Sequence, residues 1–259
     1  MFNSANFFVL PMLLFIGIIL FYFIGLKLSQ FRKKKNPEYE PSGIGPFEGA
    51  MLGLISLLLA FTFNKSASYY DTRRELLIHE TNCIGTVLLR ADLYPDTVRE
   101  AFRKDLKEYI ESRIRYYEID DNENEIKIAL HDANSISERI WNRAAIIAQK
   151  DEVVIKSMQM IPAVNDMIDA VSLREEARTV HVPESILSLL FILCLLGSFI
   201  VGYASKSKKA DWVILLSYSL ITVMTIYLIL DLDQPRHGII NTNSTHKNMR
   251  NLLSTLSTP

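Results

Sequence analysis

The chain has 259 residues, 28 lysines and arginines against 29 aspartates and glutamates, and 49% hydrophobic residues. That near-neutrality excludes nucleic-acid binding as a main role, because no basic excess exists to displace phosphate counterions. The apolar residues collect toward the two ends, around a charged block of more than a hundred residues. This asymmetry describes a membrane protein with one sizeable polar domain. Cys83 and Cys194 stand apart, and the five histidines show no metal-ligand spacing, so neither a disulfide framework nor a zinc site is expected.

About 20 apolar helical residues cross the hydrocarbon core. The first segment, Phe7 to Leu28, is too long for a signal peptide, lacks a basic leader, and reads as a retained helix. The loop after it carries Lys27, Arg32, Lys33, Lys34 and Lys35. The second segment, Phe47 to Phe63, places Gly49, Gly53, Ser56 and Ala60 on one helical face. Ordinary packing within the chain is the expected use of that face, ahead of a seam between copies.

From Asn64 to Val182 the pattern is helical and nearly free of glycine. Leu76 to Tyr94 is apolar around most of its circumference and reads as a buried continuation of the second membrane helix, ended by Pro95. A helix running from Phe47 to Tyr94 is about 70 Å long. Asp96 is the expected cap of the next helix, with Val98, Phe102, Leu106, Tyr109 and Ile110 along one stripe. A loop at Asp120–Glu125 follows, then helices near Ile126–Ala148 and Val153–Thr179, with Pro162 starting or kinking the latter.

Pro183 and Glu184 open the third membrane segment, Ile186 to Ala204. Lys206, Lys208 and Lys209 precede the fourth, Trp212 to Leu230, which Asp211 caps. The fourth segment aligns Tyr218, Thr222 and Thr225, a stripe suited to hydrogen bonds between helices. No segment carries an ionised group near its middle, which argues against a proton pump or a carrier of charged substrates. Both short basic loops are expected in the cytoplasm of a plasma (inner) membrane protein. The helical domain and both termini then lie on the periplasmic or extracellular side.

The expected fold is all-α, an integral membrane protein with four transmembrane helices and a helical extramembrane domain between the second and third. Its parts are residues 1–64 (membrane helices one and two), 65–182 (helical domain), 183–234 (membrane helices three and four) and 235–259 (polar tail, a short helix or disordered).

Three polar groupings bear on function. Glu80 shares a face with Leu77, Ile84, Val87 and Ala91, while Asn82 lies on another. A carboxylate on an apolar face needs a partner, and a structural ion pair is expected ahead of a functional site. Asn165, Asp166 and Asp169, followed by Arg174, supply too few oxygens for a cation cage. A solvated face, or pairing with Arg73, Arg74 or Arg90, is expected there. In DLDQP, Asp231 and Asp233 stand at the negative end of a membrane helix. Pro235 biases Gln234 toward extended backbone, and unwinding there would bring both carboxylates to shared partners. An arginine clamp, from Arg236 or from the middle domain, is expected to lock the fourth helix to the outer domain, ahead of a bound divalent cation. A catalytic carboxylate pair ranks last, because no nucleophile or metal cluster accompanies it, and no enzymatic role is expected.

The chain resembles the bacterial bestrophin-like domain proteins, a family of integral membrane proteins. The resemblance rests on LLAFTF (Leu58 to Phe63), ETNCIGTVLLR (Glu80 to Arg90) with Pro95 after it, NDMID with Arg174, Pro183, and DLDQP. Bestrophins proper are pentameric, calcium-gated anion channels, with a neck of apolar residues on the second membrane helix and an acidic calcium clasp after the fourth. The resemblance implies a homo-oligomer, pentameric by analogy, in a lipid bilayer, passing inorganic ions through a neck at Leu58, Leu59, Phe61 and Phe63. It also implies that Asp231 and Asp233 form a reduced clasp, with calcium the one cofactor considered. Two features depart from bestrophins: the long acidic run is missing, and the loop charges place the helical domain outside the cytosol. A membrane-anchored sensory or interaction module without transport activity is the alternative.

Overall fold

A computed structural model describes residues 6–36, 45–119, 122–150, 154–205, 210–234, 240 and 243–257. The fold is all-α. In chain order the helices are α1 (Asn6–Lys35), α2 (Gly45–Ala91), α3 (Asp96–Glu118), α4 (Glu123–Lys150), α5 (Val154–Thr179), α6 (Glu184–Ala204), α7 (Trp212–Asp233) and α8 (Asn243–Ser257). Among the described residues four spans are long and apolar enough to cross a membrane; three lie in α1, α2 and α7, and the fourth in Val154–Ala204, whose apolar part is α6. The chain divides into two compact units, residues 1–70 with 181–240, and residues 71–180 with 241–259.

In the first unit α1 packs against α6 and α7. Leu14, Ile18, Ile55, Leu190, Cys194, Ile226 and Ile229 form its core. Small residues set the distance between α1 and α6. A Cβ on Gly25 would stand 2.1 Å from the Phe199 carbonyl oxygen, and one on Gly202 would stand 2.1 Å from that of Tyr22. Ser198 Oγ donates to the Ile18 carbonyl at 2.5 Å, so close approach is accompanied by hydrogen bonding.

In the second unit α3 packs on α4 and α8, and α4 on α5. The inward stripe of α3, Phe102, Leu106, Tyr109 and Ile110, is buried against Val87 of α2 and Val164 and Met167 of α5. Within the polar tail Asn243–Ser257 forms α8, which lays Met249 and Leu252 on this same core. Its polar composition concealed a narrow apolar face, enough for a helix that packs on one side only.

Most helix boundaries follow local chemistry. The last turn of α2 tightens into i→i−3 bonds from Asp92, Leu93 and Tyr94, ahead of Pro95. Asp211 Oδ1 accepts from the backbone N–H groups of Val213 and Ile214, the expected cap of α7. Four expectations need correction. Pro95, not Asp96, occupies the cap position of α3; Asp96 lies in its first turn, where it pairs with Arg99 at 2.7 Å. The start of α4 invades the expected loop, because Asn122 Oδ1 accepts from the Asn124 and Glu125 N–H groups while its amide donates to Glu125. Pro162 lies inside α5 and does not open it. Nor is the second half of α2 buried all round, since Leu89 is 72% exposed.

Candidate functional site

Three groupings carry the chemistry. The first is built on α2 and α3 of the second unit. Glu80 is wholly buried, among Leu77, Ile84, Val87 and Ala91 on the same face. An isolated carboxylate there would be prohibitively desolvated, and the fold surrounds it with donors. Arg113 Nε reaches Glu80 Oε1 at 2.5 Å, Arg174 Nη1 reaches Oε2 at 2.5 Å, and the Tyr117 hydroxyl donates to Oε2 at 2.6 Å. Both guanidinium groups lie over the Tyr117 ring, at 5.3 Å for Arg113 and 4.1 Å for Arg174. Tyr116 donates to Glu175, which also pairs with Arg178 at 3.1 Å.

Burial opposes the charge on both central arginines, with different outcomes. At Arg113 the adjacent Glu80 carboxylate overrides burial and holds the pKa above its ordinary value. At Arg174 burial dominates and lowers it to about 10. Both side chains stay cationic at neutral pH.

Sequence reasoning had paired Glu80 only in kind, and Arg174 was grouped with the wrong carboxylates. Arg113 was missed, although a signal existed: it falls one turn beyond Tyr109 on a stripe that is otherwise apolar. Asn165, Asp166 and Asp169 are exposed, and the two aspartates form no ion pair among the described residues. Arg73 donates instead to the Ala177 and Val180 carbonyls at 3.2 and 2.8 Å, and Arg90 donates to the Gln159 carbonyl. Of the two expected readings the solvated face is the one seen, and two of the arginines named in the other satisfy backbone oxygens at and within α5. Asn82 is exposed, as its place on the other face of α2 required.

The second grouping closes α7. The helix does not unwind at Asp231; it runs through Asp233, and only Gln234 turns extended (φ −90°, ψ 119°), as the following proline demands. The described partners of Asp231 and Asp233 are different, and the arginine expected to clamp them, Arg236, lies outside the described residues. Asp233 Oδ1 accepts from the Val182 N–H at 3.0 Å, and its Oδ2 stands 3.2 Å from His181 Nδ1. Asp231 Oδ2 accepts from the Ile240 N–H at 2.8 Å. The carboxylates thus hold the strand of chain that enters α6 and the chain that leaves α7.

The third grouping is the membrane half of α2. Its most apolar stretch is only 11% buried within the chain, against 33% in each of the other three spans. Leu54, Leu57 and Phe61, at i, i+3 and i+7, are 47%, 56% and 69% exposed. On the adjoining face Gly49, Gly53, Ser56 and Ala60 are exposed too, and a Cβ on Gly49 or Gly53 would meet nothing within 4 Å. Among the described residues the small-residue face of α2 is left uncovered, contrary to the expectation of packing within the chain. Of the four neck candidates, Leu58 and Leu59 pack partly against the chain's own core, whereas Phe61 and Phe63 project outward. Leu54 and Leu57 were overlooked because a run of leucines does not announce which face is free.

The model of the Bestrophin-like domain matches residues 16–246. The chain belongs to the Bestrophin-like domain family. Among solved structures it is similar to a bacterial bestrophin homolog from Klebsiella pneumoniae. A structure of that homolog phased on zinc gives a TM-score of 0.70 at 15% identity, covering 95% of this chain and 98% of the other. A point mutant of it gives 0.75 at 13% identity, covering 98% and 97%. Another gives 0.69 at 14% identity, covering 96% and 99%. At these identities the likeness is one of fold, and it extends over essentially the whole length of both chains. Among curated proteins nothing matches the chain.

Proposed function

We propose that this Bestrophin-like protein is an oligomeric ion channel for inorganic anions, with α2 lining the conduction path. The uncovered face of α2 is the observation that carries this reading. A solitary membrane helix gains little from placing glycines toward lipid, whereas a second helix can approach closely over Gly49, Gly53, Ser56 and Ala60. Packing of copies over that stripe turns Leu54, Leu57 and Phe61 toward a common axis, where a ring of apolar side chains forms a dewetting constriction. Family membership and the full-length fold likeness support the same assembly, and five copies is the number the family resemblance suggests. In this reading Phe61→Ala widens the constriction, and anion flux into liposomes rises several-fold over the unmodified protein. Absence of flux from the unmodified protein under several salts and voltages removes the channel reading.

Asp231 and Asp233 act, in this proposal, as backbone caps that hold the ends of α6 and α7, the role their partners support. The basic turn Arg32 to Lys35 at the end of α1 faces the cytoplasm, and the second unit with both termini lies on the opposite side. Both native cysteines are buried, so an introduced Lys34→Cys gives a clean label. It is expected to resist a membrane-impermeant maleimide in intact cells and to react after permeabilisation. Labelling without permeabilisation reverses the orientation.

A further inference from the structure

The charge cluster around Glu80 is not balanced. Glu80 and Glu175 supply two negative charges, while Arg113, Arg174 and Arg178 supply three positive ones. Arg113 is the largest wholly buried side chain among the described residues, at 0% exposure. Its Nε is committed to Glu80, and one Nη donates to the Tyr117 hydroxyl at 3.1 Å. The other, Nη1, is buried with no hydrogen-bond partner among the described residues. Both oxygens of Glu80 are already engaged by Arg113, Arg174 and Tyr117.

Two neighbours of Arg113 on α3 are in the same condition. The Tyr109 hydroxyl and Ser112 Oγ are buried and lack a partner among the described residues. Tyr109 stands one turn before Arg113, and Ser112 immediately precedes it, so all three belong to the inward side of α3. Burial pushes the Tyr109 phenol above its ordinary value, so its hydroxyl remains a neutral donor. Leaving a guanidinium N–H and two hydroxyls unmet in an apolar interior is costly for each group. Three groups able to donate, a surplus positive charge among the paired side chains and no Glu80 oxygen left over suit a partner that is an anion.

We propose that Arg113 Nη1, the Tyr109 hydroxyl and Ser112 Oγ hold a halide-sized monovalent anion inside the helical bundle of the second unit. The anion supplies the missing negative charge and accepts from all three donors. This site is separate from the α2 face and stands whether or not the protein conducts. It makes the stability of the bundle depend on the anion present, through preferential binding to the folded state.

The test is thermal unfolding of the purified full-length protein in detergent micelles, in sodium chloride or bromide against sodium gluconate at equal ionic strength. The midpoint is expected to be about 5 °C higher in halide. The variant Tyr109→Phe/Ser112→Ala, which keeps side-chain volume nearly constant, is expected to lose that increment. Equal midpoints in the two salts, or an increment retained by the variant, overturns the proposal. Should the variant fail to fold, bromide anomalous scattering from crystals of the unmodified protein decides. A peak beside the Arg113 guanidinium is expected, and an ordered water there without a peak rejects the site.

Discussion

Glu80→Ala is expected to destabilise the protein by about 3–5 kcal/mol, the usual cost of removing one partner from a buried ion pair. The loss arises less from the missing attraction than from what stays behind. Arg113 is wholly buried and the Arg174 side chain only 14% exposed, so neither guanidinium can reach water to recover its solvation. The Tyr117 hydroxyl loses its acceptor as well. Chemical unfolding of the purified protein in micelles measures the effect. Asp96→Ala is the control: that carboxylate is 84% exposed in its pair with Arg99, and its removal should leave the midpoint nearly unchanged. A further variant separates charge from shape. Replacing Glu80, Arg113 and Arg174 together by Leu, Met and Leu removes every stranded charge, and most of the lost stability should return. If Glu80→Ala unfolds no more readily than the unmodified protein, the buried cluster does not stabilise the fold.

Gly202→Ala and Gly25→Ala are expected to cost about 3 kcal/mol each, at the upper end of what overpacking imposes. A new methyl usually finds relief because a flexible side chain moves. Here the obstacles are the backbone oxygens of Tyr22 and Phe199, both at 2.1 Å, and a helix backbone yields only by moving the helix. α1 and α6 must separate, and the bond from Ser198 to the Ile18 carbonyl lengthens with them. Gly49→Ala and Gly53→Ala provide the contrast, because an added Cβ there meets nothing in the same chain. They should leave the unfolding midpoint of the single chain unchanged and shift the subunit distribution in nanodiscs toward smaller species. Unfolding by a denaturing detergent reads the first pair, and native mass spectrometry the second. Equal unfolding midpoints for all four variants would refute the assignment of these two glycine sets to different partners.

Much of this architecture was legible in the residues. Apolar runs close to the length that crosses the bilayer located the membrane helices, and Asp211 and Pro183 marked where two of them start. Pro235 marked the exit from α7, because a proline restricts the residue before it whatever the surroundings. The candidate groupings were legible only in kind. Glu80 on an apolar face had to have a partner, yet α2, α3 and α5 meet across separations of 33 and 94 residues to supply Arg113 and Arg174. No periodicity within one helix carries that information. The polar tail was the hardest segment to read, since α8 becomes a packing helix only because an apolar surface awaits Met249 and Leu252.

By itself, then, the sequence determined the helical fold, the membrane segments, the helix-ending residues and the need of Glu80 for positive partners. These follow from forces that act over a few residues: hydration of the backbone, apolar periodicity and the geometry of proline. Tertiary structure alone decided which arginines meet Glu80, that Asp231 and Asp233 take separate backbone partners, and which small residues draw helices together. Gly25 and Gly202 face a neighbouring backbone while Gly49 and Gly53 face open space, and the four residues are chemically identical. What distinguishes them is the atom opposite, and helix packing is what puts it there.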